Sequence, residues 1–358
     1  MPDFKKHFPA LQECTYLNTP ASGLLPAPVY AWRKAQEDQF FKHGNDYAQT
    51  IETLNDVRKT LGRFFHASET DIALVPNFSL GLNMLLEGLP QQQKILLLNG
   101  DYPSVNWPVH MRDFDVCVAE TTGNVEHNIE AAVARHHPTV FIFSVVQWLN
   151  GIKLDLGFLE ELKAYHPDLL LIADGTQYLG TEQFNFRDSP LDVLGASAYK
   201  WLLSGYGNGF FLFKETIKED VFPSAIGFNS AAGFDSRPEE TTFAKHFEPG
   251  HLDAFNFGSL QQSLQFMETL GVEAIQDEIV KLSQKAKTAF TKAGLLSETV
   301  ANREIHSSIF NLKGNDALFQ KLKSNNITCS QRGGGIRVGF HFYNTEEDLE
   351  IFLKALHA

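Results

Sequence analysis

The chain has 358 residues, 43% hydrophobic and 20% charged, with a formal net charge of −13. That length buries a large core and by the usual size prior holds about two domains, while acidity without a dense Lys/Arg block argues against nucleic-acid or anionic-membrane partners. No apolar run approaches the roughly 20 residues of a membrane span, and Met1-Pro-Asp-Phe-Lys-Lys lacks the apolar core of a signal peptide, so the expected location is cytoplasmic. Cys14, Cys117 and Cys329 are too few and too widely spaced for a disulfide framework or zinc site, and thirteen histidines without H-E-x-x-H or paired Cys/His spacing give no metal ligands.

Residues 1–26 read as an extended N-terminal arm in which Tyr16-Leu-Asn-Thr-Pro-Ala-Ser-Gly23-Leu-Leu-Pro26 joins a short strand to Pro and Gly punctuation; a surface loop fits equally well. Residues 27–43 and 47–65 predict amphipathic helices, and 72–76 a strand that opens a large domain. Asn77-Phe-Ser79-Leu80-Gly81 then turns into a helix. Ser79 reads first as its N-cap, although the first amides and the Ser79 hydroxyl are also well placed for an anion. Residues 94–98 form a buried strand ending at Asn99-Gly-Asp101-Tyr102, where the tyrosine reads as a ring packed at a strand end. Residues 139–146 are the next central strand, followed at its carboxyl edge by Gln147-Trp-Leu-Asn150-Gly151, and 155–165 predict the crossover helix, with Leu156, Leu159 and Leu162 on one face.

Residues 169–173 are an unbroken apolar run, the pattern of a strand buried on both faces of a parallel sheet, and Asp174 falls at its end. Residues 193–198 read as a neighbouring strand that delivers Lys200 to the same edge, ahead of Gly205, Gly207, Gly209 and the run 210–213. Ligands of open α/β sheets bind beyond the carboxyl ends of the strands, so an acid and an amine face one crevice. Pyridoxal 5'-phosphate uses such a pair: a lysine holds its aldehyde as a Schiff base, and a carboxylate keeps its pyridine nitrogen protonated. Lys200 and Asp174 fit those catalytic roles, the Asp174 bond being of a kind worth roughly 1.5–3 kcal/mol. Residues 223–247, polar and carrying Arg237, are too long for an ordinary connection and are expected to cover the site or cross to a partner subunit. Residues 255–294 predict one long linking helix stopped at Gly294. The remainder, 295–358, predicts a small α/β domain with strands at 305–312, 327–329 and 335–340 and helices at 315–324 and 345–357.

The segments ADGTQYLG (173–180), SAYKWLLSGYGNGFF (197–211), FEPG (247–250) and IRVGFHFYNTEEDL (336–349) resemble, in order and spacing over nearly the whole chain, the class V aminotransferases, the cysteine-desulfurase-like branch of the fold-type-I pyridoxal phosphate enzymes. The resemblance implies an α/β architecture: arm 1–26 at the active-site rim, large domain 27–254 with a mostly parallel sheet and helices on both faces, linking helix 255–294 and small domain 295–358. It implies a homodimer with shared sites. Ser79 and Leu80 at the helix turn, with Ser197 and Tyr199, take positions that contact the cofactor phosphate, Tyr199 standing where histidine is common. Tyr102 stands where the family stacks a ring, usually histidine, on the pyridine; a tyrosine stacks but is a poor proton shuttle at neutral pH. Gln177 is implied to donate to the phenolic oxygen, while Asn150 or Gln147 bonds that oxygen or the substrate carboxylate. His251 replaces the threonine that reaches the neighbouring subunit's phosphate. Asn18 lies near the substrate, Arg337 grips its α-carboxylate with a two-pronged guanidinium, and Arg332 is a second candidate.

Family chemistry is shared up to removal of the α-proton and then divides into transamination, racemisation or elimination. Desulfurases place a nucleophilic cysteine on a long loop before the carboxylate-binding arginine; here Cys329 falls in a predicted strand with only 331–335 as loop, so no mobile persulfide carrier is expected. The expectation is an aminotransferase acting on amino and keto acids; the alternative is an epimerase or racemase resembling isopenicillin N epimerase, which shares the K-W-L-L signature, or a lyase of the same family. Ser197-x-x-Lys200 also matches the serine-hydrolase motif of penicillin-recognising enzymes, but S-D-N and K-T-G are missing and a strand, not a helix, is predicted there. A non-catalytic binding protein has no reason to retain Lys200, Asp174, Gln177 and Arg337 together.

Overall fold

The computed structural model describes residues 4–231 and 237–357. The N-terminal arm, carrying strand β1 (Thr15–Tyr16), leads into helices α1 (Ala27–His43) and α2 (Tyr47–Phe65). Then come β2 (Ile72–Val75), α3 (Phe78–Gly88), β3 (Lys94–Leu98), α4 (Pro103–His110), β4 (Asp115–Ala119), α5 (Val125–His136), β5 (Val140–Ser144), α6 (Leu156–Tyr165), β6 (Leu170–Asp174), β7 (Val193–Ser197) and β8 (Gly209–Phe213). Strands β2 to β8 form one sheet in the order β2-β8-β7-β6-β5-β3-β4. Neighbours run parallel except β8, which is antiparallel to both β2 and β7.

The interior strands are apolar without alternation because helices cover both faces of the sheet. Leu96, Phe141, Phe143 and Leu171 point into one buried cluster, while Ile95, Ile142, Ile172 and Val193 point into the other. At the edge, β4 alternates instead, with Cys117 and Ala119 buried and Asp115 and Val118 exposed. The helices start where side chains satisfy the free first-turn amides: Asp46, Asn77, Asn124 and Asp155 cap α2, α3, α5 and α6.

The expected single helix at 255–294 is two: α7 (Ala254–Leu270) packs on α1 and α2, and α8 (Val272–Lys292) runs on to the carboxyl-terminal unit. Gly271 separates them at φ +86°, a conformation that side chains disfavour. After α9 (Glu298–Ala301), strands β9 (Ile309–Lys313), β11 (Ser330–Arg332) and β12 (Gly335–Gly339) make an antiparallel sheet ordered β11-β12-β9, flanked by α10 (Asp316–Ser324) and α11 (Glu346–His357). Strand β10 (Ile327–Thr328) pairs in parallel with β1, and Asn18 bridges Gly339. The arm is therefore no surface loop: Phe8, Leu17 and Thr19 are buried.

Between β8 and α7 the chain proceeds through 3-10 turns at Phe228–Ser230, Pro238–Glu240 and Phe243–Phe247; residues 232–236 of the predicted 223–247 segment lie outside the described residues. It is anchored at its end by Glu248, which is buried, accepts the Leu74 amide at 2.8 Å and pairs with Lys245 at 2.7 Å and with Arg58. Among the described residues no helix is long and apolar enough to cross a membrane, and no His/Cys/Asp/Glu cluster could hold a metal ion.

Candidate active site

Strand order reverses at β3, which has its successor β4 on one side and β5 on the other, so a crevice opens between the β3 and β5 carboxyl ends. Asp101, just past β3, closes its floor. Its carboxylate accepts the Ser144 amide at 2.8 Å, the Ser144 hydroxyl at 2.6 Å and the Tyr102 amide at 2.6 Å, and burial pushes its pKa up. Asp174 ends β6, buried, with Oδ1 accepting the Thr176 amide at 2.8 Å. Burial raises its pKa to about 6, opposed by the Thr176 bonds and by Lys200.

Lys200 is buried, and no described residue hydrogen-bonds its Nζ, which lies 5.3 Å from the Tyr102 ring centre and 5.6 Å from that of Tyr199. Burial lowers its pKa to about 7 despite the attraction of Asp174, with Arg337 and Arg332 lowering it further. Its backbone is held from three sides. The Gly23 amide donates to the Tyr199 carbonyl at 2.9 Å, His341 Nε2 faces the Trp201 carbonyl at 3.0 Å, and Trp201 Nε1 donates to Gln177 Oε1 at 2.7 Å. Gln177 Nε2 in turn donates to the Pro20 carbonyl at 2.9 Å. The indole can only donate and the carbonyl can only accept, which fixes the orientation of the Gln177 amide. A Cβ at Gly23 would fall 2.0 Å from the Lys200 carbonyl oxygen, so only glycine lets the arm run this close.

At the start of α3 the expected cap is corrected: Asn77, not Ser79, is the N-cap, its Oδ1 accepting the Leu80 amide at 3.0 Å. That leaves the Leu80 amide engaged rather than open. The Phe78 amide donates to Ser197 Oγ at 2.9 Å, and Ser79 Oγ donates to Ser104 Oγ at 2.7 Å. The Ser79 amide alone of these three first-turn donors has no acceptor among the described residues. Ser197 further donates its amide to Thr176 Oγ1 at 3.0 Å, and the Tyr199 ring stacks on Tyr206 at 4.4 Å.

Arg337 is buried on β12. Nη1 donates to the Trp148 carbonyl at 2.7 Å, Nε has no partner, and no carboxylate among the described residues pairs with it. Burial first, then Arg332, lowers its pKa to about 10, with Tyr102 and Tyr199 opposing. Trp148 also meets Tyr102 edge-on at 5.7 Å, so the arginine, the indole and the phenol form one wall. Gln147 is buried and its Nε2 approaches the Ser144 carbonyl at 3.4 Å; Asn150 accepts the Ile152 amide at 3.1 Å within its own turn. Asn18 accepts from the Ser330 hydroxyl on β11, and Arg332 is exposed on the same strand.

His251 does not join this group in the chain itself; its exposed ring stacks on Phe228 at 5.5 Å and meets Tyr47 at 6.2 Å. The cysteines are also apart. Cys14 donates to Ala10 on the arm, Cys117 is buried on β4, and Cys329 is buried between β10 and β11 with its pKa raised to about 11 by burial. Thr176, Gly23, Trp148, Ser144 and His341 were not anticipated as site residues; apart from the local bonds of Thr176 to Asp174 and of Gln147 to Ser144, their partners in the site lie 21 to 189 residues away.

The family described as aminotransferase class-V matches residues 16–352. An uncharacterized aminotransferase of Bacillus subtilis is 22% identical over 99% of this chain and 98% of its own, and a probable cysteine desulfurase of Methanothermobacter thermautotrophicus is 22% identical over 99% and 96%. Among solved structures, C-DES, described as a cystine C–S lyase and solved with glycine linked to its PLP cofactor, superimposes with a TM-score of 0.87 at 20% identity over 99% of both chains. With the family match spanning nearly all of the sequence and the strand order placing Asp174 and Lys200 at one sheet edge, the chain belongs to the class V aminotransferases, pyridoxal-phosphate-dependent enzymes of fold type I.

Proposed function

We propose that this protein transfers the amino group of an amino acid to a keto acid, using pyridoxal 5'-phosphate held by Lys200. The observation that carries the reading is a buried amine and a buried guanidinium, neither paired with a carboxylate, around one crevice. An unpaired buried cation costs stability that an anionic ligand would restore.

The residues fit the cofactor. Lys200, poised near neutrality, suits its aldehyde. Asp174, with a pKa of about 6, is an anion at neutral pH and suits the ring nitrogen. The open Ser79 amide at the head of α3, with the Ser79 and Ser104 hydroxyls beside it, suits the phosphate. Tyr102, beside Lys200, suits one face of the ring. Bound there, pyridoxal phosphate supplies an electron sink for negative charge developing at a substrate α-carbon. Arg337 orients the α-carboxylate, and Lys200, once its amine is free, takes the α-proton and carries it along one face.

Transfer is favoured over desulfuration through an enzyme persulfide because Cys117 and Cys329 are buried, with thiol pKa values raised by burial, and Cys14 lies on the arm bonded to Ala10; elimination of sulfur without an enzyme thiol is distinguished from transfer by the assay below. It is favoured over epimerisation because that reaction needs a second proton donor on the opposite face, and burial raises the pKa of Tyr199, close to Lys200, making its phenol a weaker acid than usual. A homodimer is part of the proposal: His251 lies away from its own Lys200, in a surface where Phe40, Tyr47, Ile51 and Phe228 are exposed, and such a surface suits a second copy. The segment after β8 is placed by the same reading over or across that junction.

The test is an absorbance spectrum of wild type and Lys200→Ala with added cofactor, followed by single amino acids. The expected result is a cofactor band in wild type alone, converting to the pyridoxamine form as keto acid appears. If wild type takes up cofactor no better than the mutant, the assignment of Lys200 fails. Exchange of the α-hydrogen without keto acid, or sulfide from cysteine, would replace transfer by epimerisation or sulfur elimination.

A further inference from the structure

The β11–β12 hairpin carries two arginines. Ser330 lies directly opposite Arg337, and Arg332 lies opposite Gly335. Directly opposed residues share a face of a sheet, as do residues two apart on one strand. Arg332 and Arg337 therefore project from the same face as diagonal neighbours, a relation that puts Cα atoms roughly 7–8 Å apart. The hairpin is fixed where it stands. Gly333, at φ +58°, presses on Leu149 so closely that a Cβ would fall 2.5 Å from its side chain, and Leu149 adjoins the Trp148 carbonyl that Arg337 binds. Asn311 Nδ2 holds the Arg332 carbonyl at 3.1 Å, and Ser330 is tied to Asn18.

Like charges on one face repel, and the chain supplies no anion to separate them: neither guanidinium meets a carboxylate among the described residues, although the chain as a whole is strongly acidic. A monocarboxylic amino acid neutralises one of the two. We infer that the substrate is dicarboxylic, a short acidic amino acid or its keto acid, with Arg337 taking the α-carboxylate and Arg332 the distal one. Arg332 is thus the specificity-determining residue, its exposure letting the side chain close over the far end of the ligand. This rests on the placement of the substrate's α-carboxylate at Arg337 proposed above.

The experiment is calorimetric titration of the purified protein, pyridoxal phosphate present, with two acids of equal chain length, glutarate and pentanoate. Wild type should bind glutarate more tightly. Arg332→Gln should weaken glutarate roughly ten- to a hundred-fold, the range for one charge-assisted contact, and leave pentanoate unchanged; Arg332→Lys should retain part of the preference, and Arg337→Gln should weaken both acids. Equal binding of the two acids by wild type, or equal effects of Arg332→Gln on both, overturns the inference. If the protein takes up no cofactor yet keeps the Arg332-dependent preference, the reading of Lys200 falls and this one stands.

Discussion

Burial acts on Lys200 and Asp174 in opposite directions, and the signs can be followed in stability. Lys200 has a folded pKa of about 7 against an unfolded value of 10.5. Below pH 7 both states carry the charge and the folded state bears the full desolvation cost; between about 7 and 10.5 only the unfolded state binds the proton, so stability rises with pH. Asp174, raised from 3.8 to about 6, does the reverse and lowers stability as pH climbs through that interval. Cofactor-free wild type should therefore be less stable than Lys200→Met at pH 7, with the gap narrowing by pH 9. Urea unfolding at both pH values measures it; a gap that does not change with pH would mean an amine of ordinary basicity.

At the scale of elements, Lys200 depends on a backbone it does not belong to. The arm, the Asp174–Gln177 turn and His341 after β12 each hold one carbonyl or ring of the Tyr199–Trp201 stretch. Gly23→Ala should push the arm off Lys200, costing about 1–3 kcal/mol by overpacking and weakening cofactor uptake, whereas Gly157→Ala, at an exposed position at the start of α6 with no atom nearer than 3.4 Å to the added Cβ, should leave uptake unchanged. Cofactor titration of the two variants decides this, and equal uptake in both would free Lys200 from the arm. The same dependence explains what was legible in the sequence. Asp174 and Lys200 each follow an apolar run that reads as a buried strand, and α2 and β3 lie where the apolar pattern places them; α1 has its expected bounds but is not the amphipathic helix expected, since it buries Val29 alone and exposes Tyr30, Phe40 and Phe41. Strand β4 and helix α5 were passed over because an edge strand of alternating burial resembles a polar loop. The break at Gly271 was hidden by continuous helical patterning on both sides, and the Asn77 cap by a serine two residues on with equal capping propensity.

At the scale of the whole molecule, several exposed apolar side chains share one cavity. Phe40, Tyr47 and Ile51 of the first two helices and His251 line a cavity of about 500 Å³ that also takes in Trp32 and Phe255. If a second copy covers it, light scattering should give twice the chain mass, and Ile51→Asp should shift the population toward single chains while keeping the far-ultraviolet circular dichroism. A single-chain mass for wild type at micromolar concentration would remove the dimer.

The pairing of β1 with β10 joins residues more than three hundred positions apart. On a ribosome adding roughly 5–20 residues per second, the arm waits about 15–60 seconds for its partner strand to be made. During that interval Phe4 and Phe8, both buried in the finished protein, lack their partners Phe342 and Tyr343, and the loop that steadies Lys200 lacks its latch. The arm is thus made long before the strand that secures it. Nascent chains halted before residue 327 should be open to proteases along the arm and unable to retain cofactor, which makes the arm's protection a readout of completed synthesis.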